Sequence, residues 1–398
     1  MNLKMAYMSL NRAIPSRKAN GVGVVKTCGQ FTSNGMDLEL ILPPSLDNDA
    51  EIAGSKKDLW EFYGVPKNFR TTYLLWPSMY SVLRPPGFAV LAATYGVLKG
   101  TSLFYSRHIE LACAAALYRR ISVFESHNYG KVHKHPLLPF WIRLFRKPAR
   151  RVAMVVTTEA GAKSYERRGV PRERILVARN GVDLERFNLS ESKISLRRRL
   201  GLPTNKTIVG FSGHLYEGRG IEQLLECARL LEQPFFLIVG GETHDIERCK
   251  AVAQALGLSN VKFVGFVHQC EVPAYLLASD ILVMPYTKAT PSHEYMSPMK
   301  MFDYLASGRA IVATDFPVVR EVLHDRQNAV IVPPGNGGDL ASGIQWLLDH
   351  PKSAEKLGDR ARRDAEQYSW ENRVRRIVTW MREMFFEHAA QRQGIPTR

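Results

Sequence analysis

The fold of this chain is decided by residues 207–231, which read TIVGFSGHLYEGRGIEQLLECARLL. The apolar run at 207–212 predicts a buried β-strand, and the apolar residues of 221–231 recur at helical spacing. A glycine-rich loop carrying Arg219 separates the two. A strand, a glycine loop and a helix in this order indicate a parallel α/β sheet whose loops face ligands at helix N-termini.

The same alternation of short apolar runs and helical patterns covers most of the sequence. Most of the predicted strands are separated by predicted helices, which gives parallel sheets covered on both faces. The strands are too many for one open sheet, so we expect two doubly wound α/β domains. The predicted strands lie at 4–9, 38–42, 102–105, 122–125, 154–157, 175–178, 207–212, 235–239, 261–264, 281–285, 310–314 and 329–332.

A polar stretch between two predicted strands, at about 185–205, is the expected linker. It separates an N-terminal domain at 1–195 from a C-terminal domain at 205–365. The remaining residues, 366–398, contain a helical pattern that we expect to pack back toward the N-terminal domain.

Composition narrows the cellular setting. The N-terminus lacks the apolar core of a signal peptide, and the most apolar run, 88–98, is far shorter than the roughly 20 residues of a membrane-spanning helix. The five cysteines form no CxxC pair, which favours a reducing compartment over a disulfide framework or a zinc site. These features predict a cytoplasmic protein.

The net charge of +16 predicts an anionic partner, such as a phosphorylated substrate, a membrane surface or a nucleic acid. In the segment 138–151, basic residues alternate with large apolar ones. This pattern suits peripheral contact with an anionic membrane, and it equally suits an ordinary surface helix. No helix-turn-helix, zinc finger or RNA-binding aromatic pattern supports the nucleic-acid alternative.

Three loops at predicted strand ends are candidates for ligand binding. The first, containing Gly21 and Gly23, opens a helix but lacks a full dinucleotide fingerprint, so a plain turn is an equal alternative. In the second, Arg219 lies at the mouth of a helix, where it can bind phosphate. In the third, Ser297 and Pro298 have the pattern of a helix N-cap and first helical residue.

This third segment, EYMSPMKMFDYLASG at 294–308, carries acidic residues on both sides of a predicted helix N-terminus. The backbone of Pro298, Met299 and Lys300 would face an anion, and Glu294 and Asp303 would accept hydrogen bonds from sugar and ribose hydroxyls. The alternative is a capped helix with a surface acid.

Taken together, these segments resemble the retaining glycosyltransferase family 4, and the likeness covers nearly the whole chain. The pieces that carry it are NGVD at 180–183, GHLYEGRG at 213–220, ASDILVMP at 278–285, SPMKMFDYLASGRAIVATD at 297–315, NAVIVPPG at 328–335, FYSR at 104–107 and FESH at 124–127. The resemblance implies a GT-B fold, in which two Rossmann-like domains face each other across a cleft.

The resemblance also implies roles for individual residues. Arg219 matches a residue that binds the donor diphosphate, and His214 falls where many members have an arginine. Asp303 matches the second acid of the E-x7-E motif, which binds the ribose. Tyr295 occupies the place of the first acid, so either Glu294 or the backbone of Met299 and Lys300 would hold the sugar.

Further roles follow from the same match. His127 corresponds to a histidine near the donor sugar and diphosphate, and the Gly21–Gly23 segment to a loop facing the diphosphate. Phe266 and Val267 lie where the backbone holds the nucleotide base.

The implied reaction transfers a sugar from a UDP- or GDP-sugar to a hydroxyl of a glycan or lipid-linked glycan, with retention of configuration. The setting would be cell-surface polysaccharide or glycolipid synthesis at the cytoplasmic face of the plasma membrane. The enzyme would need no metal or other cofactor, because cations and helix dipoles stabilise the leaving group. The D-x-D pattern at 47–49 and the histidines His133 and His135 are interpreted as unrelated to a metal.

Other functions remain open at this point. Another nucleotide-sugar enzyme, an epimerase or a phosphorylase, is the first alternative, and a nucleic-acid-binding protein or a dinucleotide-dependent dehydrogenase is less well supported. The sequence does not identify the base, the sugar, the acceptor or the oligomeric state.

Overall fold

The computed structural model describes residues 3–10, 14, 19–43, 58–75, 84–127, 129–147, 151–290 and 293–387. The chain divides into two compact units, of which the first comprises Met1–Arg179 with Trp370–Arg398 and the second Asn180–Ser369. The D-x-D pattern at 47–49 lies outside the described residues.

The first unit is built on a parallel sheet of seven strands in the order β3-β2-β1-β4-β5-β6-β7. Its strands are β1 (Leu3–Met8), β2 (Met36–Leu42), β3 (Arg70–Tyr73), β4 (Leu103–Ser106), β5 (Ile121–Ser126), β6 (Val152–Val156) and β7 (Ile175–Val177). The central strands β4, β5 and β6 are buried along their whole length, as expected for a sheet with both faces covered.

The helices of the first unit alternate with these strands. They are α1 (Ala19–Ser33), α2 (Leu59–Tyr63), α3 (Arg84–Leu98), α4 (Ile109–Leu117), α5 (Tyr129–His133), α6 (Leu138–Phe145) and α7 (Glu159–Glu166). The C-terminal helix Trp370–Arg382 also belongs to this unit, where it packs against α1 through a buried face that includes Val374, Ile377 and Met381.

The second unit contains a parallel sheet of six strands in the order β10-β9-β8-β11-β12-β13. The strands are β8 (Ile208–Ser212), β9 (Phe235–Val239), β10 (Val261–Gly265), β11 (Ile281–Met284), β12 (Ala310–Thr314) and β13 (Val330–Val332). The helices of the second unit are α8 (Lys193–Arg199), α9 (Ile221–Leu230), α10 (Thr243–Ala255), α11 (Val272–Ala278), α12 (Met299–Ser307), α13 (Pro317–Arg320), α14 (Gly337–Asp349) and α15 (Pro351–Ala365). The C-terminal helix described above, which belongs to the first unit, is α16 (Trp370–Arg382).

The polar stretch that suggested a linker at 185–205 is folded into the second unit. Its helix α8 buries Arg197, whose Nη2 donates to Asp280 at 2.5 Å and whose Nε donates to the carbonyl of Ala278 at 2.9 Å. The boundary between the two units therefore lies earlier in the chain than predicted, between Arg179 and Asn180. A buried arginine whose partner is distant in sequence leaves no apolar pattern, which explains why this stretch was predicted to be a linker.

None of the described helices is both long and apolar enough to cross a membrane. In α6, the apolar side chains Leu138, Trp141 and Leu144 are buried in the first unit, while Arg143 is exposed. The apolar side chains that were predicted to contact a membrane thus pack instead in the core of the first unit.

Candidate functional site

The strand order of the second unit fixes where a ligand can bind. Strand β8 is flanked by β9 on one side and β11 on the other, so chain connections diverge in opposite directions between β8 and β11. In open parallel sheets, ligands bind at the carboxyl ends of the strands at such a point. The loop 213–220 follows β8 and the segment 285–298 follows β11, so both predicted binding segments meet here.

The loop 213–220 is held against the segment that follows β11. Gly220 has a φ of +79°, and a Cβ there would lie 1.6 Å from the carbonyl oxygen of Pro285. The hydroxyls of Thr287 and Thr290 both donate to the carbonyl of Gly218. The loop conformation therefore requires glycine, and it directs Arg219 toward the end of β11.

Two cationic side chains meet at this point. The Arg219 guanidinium lies 4.4 Å from the ring centre of Tyr216 and 5.6 Å from that of Tyr286. Lys300 Nζ lies 3.8 Å from the ring centre of Phe211 and 5.6 Å from that of Tyr286. The loop leaves room for this amine, because a Cβ at residue 213 would stand 2.8 Å from Nζ.

The amine of Lys300 and the Nε of Arg219 are buried, and neither has a hydrogen-bond partner in the described part of the chain. Burial and the neighbouring Arg219 hold the pKa of Lys300 well below its usual value, although Asp303 opposes this shift. A buried cation without a partner is unfavourable unless an anion binds it. The two side chains, called the cradle below, therefore form a candidate site for an anion, whereas the sequence had indicated only the backbone of Lys300.

Helix α12 begins one residue later than predicted, and this corrects the role of Ser297. Pro298 is the N-cap, and Met299 is the first helical residue. The hydroxyl of Ser297 instead accepts from the backbone N–H of Asn180 at 3.1 Å, and the Asn180 side-chain amide donates to the carbonyl of Ser297 at 2.6 Å. The helix N-terminus, with Met299 and Lys300 in its first turn, still adjoins the cradle.

Asp303 lies one turn into α12 and is partly buried. Burial raises its pKa to about 6, the Asp183 carboxylate adds to the rise, and Arg186 and Lys300 oppose it. A carboxylate in this setting gains from hydroxyl donors that replace lost water. It lies on the same helix as Lys300, and its contact with the ribose stays a prediction.

The remaining predicted residues of this unit are less enclosed. His214 is exposed, and partial desolvation together with Arg219 lowers its pKa. Phe266 follows edge strand β10, is 49% exposed and stands edge-on to His268, with Val267 beside it. Glu294 is exposed in a turn before α12, and no described contact ties it to the cradle.

In the first unit, the structure corrects the predicted loop at Gly21 and Gly23. Helix α1 already begins at Ala19, so both glycines lie in its first two turns. A Cβ at residue 23 would lie 2.8 Å from Nη1 of Arg107. Gly23 therefore makes space for a guanidinium that lies at the end of β4.

Arg107 belongs to a buried network centred on Glu125, the carboxylate near the end of β5. Its carboxylate accepts from Tyr105 at 2.6 Å, from Arg107 at 3.3 Å, from Arg373 of α16 and from His127 at 2.5 Å. The side chains of Glu125, Arg107 and Arg373 are at most 7% exposed, whereas that of His127 is 28% exposed. Sequence reasoning found His127 but not the network behind it.

The other histidines near this network have ordinary partners. His135 interacts with Glu110 at 3.1 Å, and His133 lies 3.3 Å from the hydroxyl of Ser164. Across the described ranges, no group of three or more His, Cys, Asp or Glu residues is placed to hold a metal ion.

Comparison with known proteins places this geometry in a family context. Residues 192–364, which lie within the second unit, match the family described as "Glycosyl transferases group 1". This segment is a glycosyl transferases group 1 domain. It contains the whole cradle, with Arg219, Lys300 and Asp303.

Similar curated proteins are glycosyltransferases. The chain is 28% identical over 232 residues to a D-inositol 3-phosphate glycosyltransferase of Streptomyces bingchenggensis, covering 55% of this chain and 50% of that protein. It is 27% identical over 221 residues to the putative colanic acid biosynthesis glycosyl transferase WcaI of Escherichia coli, covering 54% and 53%. The chain thus spans about half the length of these curated relatives.

Solved structures match over nearly the whole chain. Anabaena Alr3699/HepE in complex with UDP and glucose has a TM-score of 0.73 at 18% identity, covering 95% of this chain and 98% of that one. Sucrose-phosphate synthase from Thermosynechococcus elongatus has a TM-score of 0.74 at 18% identity, covering 96% and 99%. With its two parallel-sheet α/β domains, the chain has the GT-B fold.

Proposed function

We propose that this protein is a retaining glycosyltransferase of family 4 that transfers a sugar from a UDP- or GDP-sugar to a hydroxyl of an acceptor. The observation that carries the proposal is the cradle of Arg219 and Lys300, two cations at the β8–β11 switch point with buried nitrogens that lack partners among the described residues. A diphosphate supplies negative charge to both side chains and acceptor oxygens to the amine of Lys300 and the Nε of Arg219.

The donor would be held in three parts. Arg219, Lys300 and the free N–H groups at the start of α12 bind the diphosphate. Asp303 accepts hydrogen bonds from the ribose, and the backbone at Phe266 and Val267 holds the base. Two solved GT-B structures contain UDP with glucose or UDP-glucose, which supports a uridine nucleotide as the first donor to test.

Catalysis would rest on stabilising the leaving group. As the bond between the anomeric carbon and the diphosphate breaks, negative charge grows on the phosphate oxygen, close to the positive charges of Arg219 and Lys300. The acceptor hydroxyl forms the new bond on the same face of the sugar, and its proton leaves with the diphosphate. This chemistry requires neither a metal nor a protein nucleophile.

The acceptor would be a glycan or a lipid-linked glycan in cell-surface polysaccharide synthesis. The support is the charge of +16 and the relation to biosynthetic glycosyltransferases such as WcaI. The exposed side chains of Arg143, Arg146 and Lys147 would contribute electrostatic contact with an anionic membrane on its cytoplasmic face, since the apolar face of α6 is already buried.

A thermal-shift screen against UDP, GDP, ADP and their sugars tests the donor, followed by product analysis with a labelled donor. We expect one nucleotide series to stabilise the wild-type protein, and Lys300→Met to reduce that stabilisation. Lys250→Met, an exposed position in the same domain, is the matched control.

Three results would speak for other functions. If added inorganic phosphate leads to release of a free sugar phosphate, the protein is a phosphorylase. If the sugar on the nucleotide is altered, it is an epimerase. Binding to random DNA without any nucleotide response would refute the proposal in favour of a nucleic-acid-binding protein.

A further inference from the structure

The first unit has an exposed apolar surface on two neighbouring helices. Of the ten large apolar side chains that are exposed in the described ranges, four lie on α3 or at the end of α4, namely Val90, Leu98, Leu117 and Tyr118. The hydroxyls of Thr94 and Tyr118 share a hydrogen bond at 2.6 Å, so the two helices form one continuous surface. Single exposed apolar residues are ordinary, but a cluster of them indicates contact with another molecule.

Helical spacing places the outer residues of α3 on one line. Val90, Thr94 and Leu98 are four residues apart, so they follow each other along one face of the helix. Leu98 is 82% exposed, whereas Phe88 and Ala92 on the inner side are buried in the core of the first unit. Because the inner side of α3 already supplies the core packing, the outer apolar side chains are available to a partner.

The same part of the chain carries most of the positive charge. Residues 62–158 contain fourteen lysines and arginines but two acidic residues, a net charge of +12 out of +16 for the chain. Glu110 pairs with His135 at 3.1 Å. Burial opposes the ionisation of Glu125, but two adjacent guanidiniums hold its pKa well below its usual value. Both carboxylates are therefore engaged away from the exposed basic side chains of this segment.

The sheet topology gathers basic side chains beside the apolar surface. Lys99 precedes β4, Arg119 precedes β5 and Arg146 precedes β6, and these parallel strands are neighbours in the sheet. Their amino ends meet at one edge, so the three exposed cations lie along it, with Leu98 and Leu117 among them. Basic residues at helix C-termini also complement the helix dipole, which explains their charge but not the exposed leucines.

Arg119 occupies a strained backbone position. Its φ of +56° is in the left-handed region just after the end of α4, where glycine is the favoured residue. An arginine there costs stability. Its exposed guanidinium is therefore better explained by a partner than by the fold.

The exposed apolar and basic side chains of α3, α4 and their C-terminal ends are called the α3–α4 surface below: Val90, Leu98, Leu117, Tyr118, Lys99 and Arg119.

We propose that the α3–α4 surface binds an anionic lipid bilayer, with its apolar side chains inserted among the acyl chains and its cations at the headgroups. The proposal rests on the membrane contact in the proposed function and deepens it, because the adjoining α6 offers only charge. A twofold contact with a second copy would set this positive surface against itself. Nucleic acid would match the charge but would leave the leucines without an apolar environment.

Co-sedimentation of the whole chain with vesicles is the first test. The wild-type protein should bind vesicles of equal parts phosphatidylglycerol and phosphatidylcholine more tightly than vesicles of phosphatidylcholine alone. Leu117→Ser should lower the affinity for anionic vesicles roughly tenfold, the effect of one lost apolar insertion. Leu230→Ser is the matched control, because both leucines end a helix and are 55% and 51% exposed. No binding by the wild-type protein, or an equal loss in the two variants, would overturn the proposal.

Arg119→Gly separates loss of contact from loss of folding. Glycine relieves the left-handed backbone, so the Tm of this variant should equal or exceed that of the wild-type protein. Its affinity for anionic vesicles should nevertheless fall about fivefold, the contribution of one basic residue at a charged membrane. Unchanged affinity would contradict the proposed role of this edge of the sheet.

Insertion is observed with an environment-sensitive fluorophore attached to Leu98→Cys. The background is Cys270→Ser, because Cys270 is exposed and the other four cysteines are buried. Emission should shift to shorter wavelength when anionic vesicles are added, and the same label on Leu230→Cys should show no shift. If the label at position 98 stays in water in the presence of bound vesicles, the apolar part of the proposal is wrong.

Other partners give different outcomes, each of which would overturn the proposal. A dimer that Leu98→Ser dissociates, without vesicle binding, would assign the surface to a second copy. Binding of random DNA that Arg119→Gly weakens, again without vesicle binding, would assign it to nucleic acid.

The thermal response to nucleotides, measured on the same variants, separates this proposal from the transferase activity. It should be unchanged, because the cradle lies in the second unit. Vesicle binding without any nucleotide response would refute the transferase and leave the α3–α4 surface standing, and the reverse result would refute the surface alone.

Discussion

Replacing Lys300 by methionine should stabilise the free protein while weakening its affinity for a nucleotide-sugar. The amine of Lys300 is buried against the ring of Phe211, lacks a hydrogen-bond partner within the described ranges and lies near Arg219. Methionine has nearly the same length and keeps the packing on the ring, but it removes the buried polar group. The variant therefore separates the energetic cost of the cradle from its function.

The expected size follows from the burial. An unsatisfied buried polar group costs about 1–3 kcal/mol, and the contact with Phe211 returns part of this through a cation–π interaction of about 0.5–2 kcal/mol. A net gain of about 1 kcal/mol raises the Tm of a domain this large by roughly 2–4 °C. Losing a charge-assisted hydrogen bond to phosphate costs about 1.5–3 kcal/mol, so the donor Kd should rise roughly 10- to 100-fold.

Thermal unfolding in the absence of ligand and calorimetric titration with the donor measure the two effects on the same preparations. The lowered pKa of Lys300 adds a pH dependence, because the folded state binds fewer protons than the unfolded state between the two pKa values. The stability of the wild-type protein should therefore rise with pH toward the unfolded lysine pKa of about 10.4, and the advantage of Lys300→Met should shrink. If Lys300→Met is less stable than the wild-type protein, or binds the donor equally well, the amine of Lys300 is not part of an anion site.

Three further experiments test other parts of the molecule. Arg219→Ala should abolish most of the thermal stabilisation by the donor, measured beside the exposed control Arg229→Ala; unchanged turnover would remove Arg219 from the site. With Asp303 at a pKa of about 6, affinity for a nucleotide-sugar should fall as the pH drops below about 6, and Asp303→Asn should bind more weakly with a flat profile; a titration of equal size in the variant would exclude Asp303 as its source. In α1, the new Cβ of Gly29→Ala meets only ordinary contacts, so this variant should raise the free energy of unfolding by about 0.5–1 kcal/mol. Gly23→Ala should give no such increase, because its Cβ collides with Arg107. Chemical denaturation measures both variants, and an equal increase in the two would show that Arg107 moves without cost.

Local sequence patterns were sufficient to predict the described strands other than β3. That edge strand (Arg70–Tyr73) is partly exposed and carries no apolar run, so it was not predicted. Strand β8, the glycine loop and helix α9 follow from residues that are contiguous in the chain, and the position of Arg219 follows from them. The apolar period that predicts a buried strand is set by burial itself, so it is visible without any tertiary information.

The parts that could not be predicted depend on contacts between distant residues. Ser297 and Pro298 have a good N-cap pattern. The hydroxyl of Ser297 nevertheless accepts a hydrogen bond from the backbone N–H of Asn180, 117 positions away, and does not cap the helix. Arg373 reaches Glu125 across 248 positions, and no sequence pattern links the two residues. A polar side chain acquires its role from its partner, and the partner is determined by the fold.

Whether a buried cation can bind a ligand also depends on the partners that the fold gives it. In the first unit, the positive charges of Arg107 and Arg373 converge on the ionised Glu125, so their electrostatic cost is largely offset before any substrate arrives. In the second unit, Lys300 and Arg219 adjoin each other, and Asp303 is the carboxylate that acts on Lys300, with a pKa raised toward neutrality. An anion gains little at the first cluster and much at the second. Inorganic diphosphate should therefore stabilise the protein through Lys300 and Arg219, and charge-removing substitutions at these two residues, rather than at Arg107, should eliminate that effect.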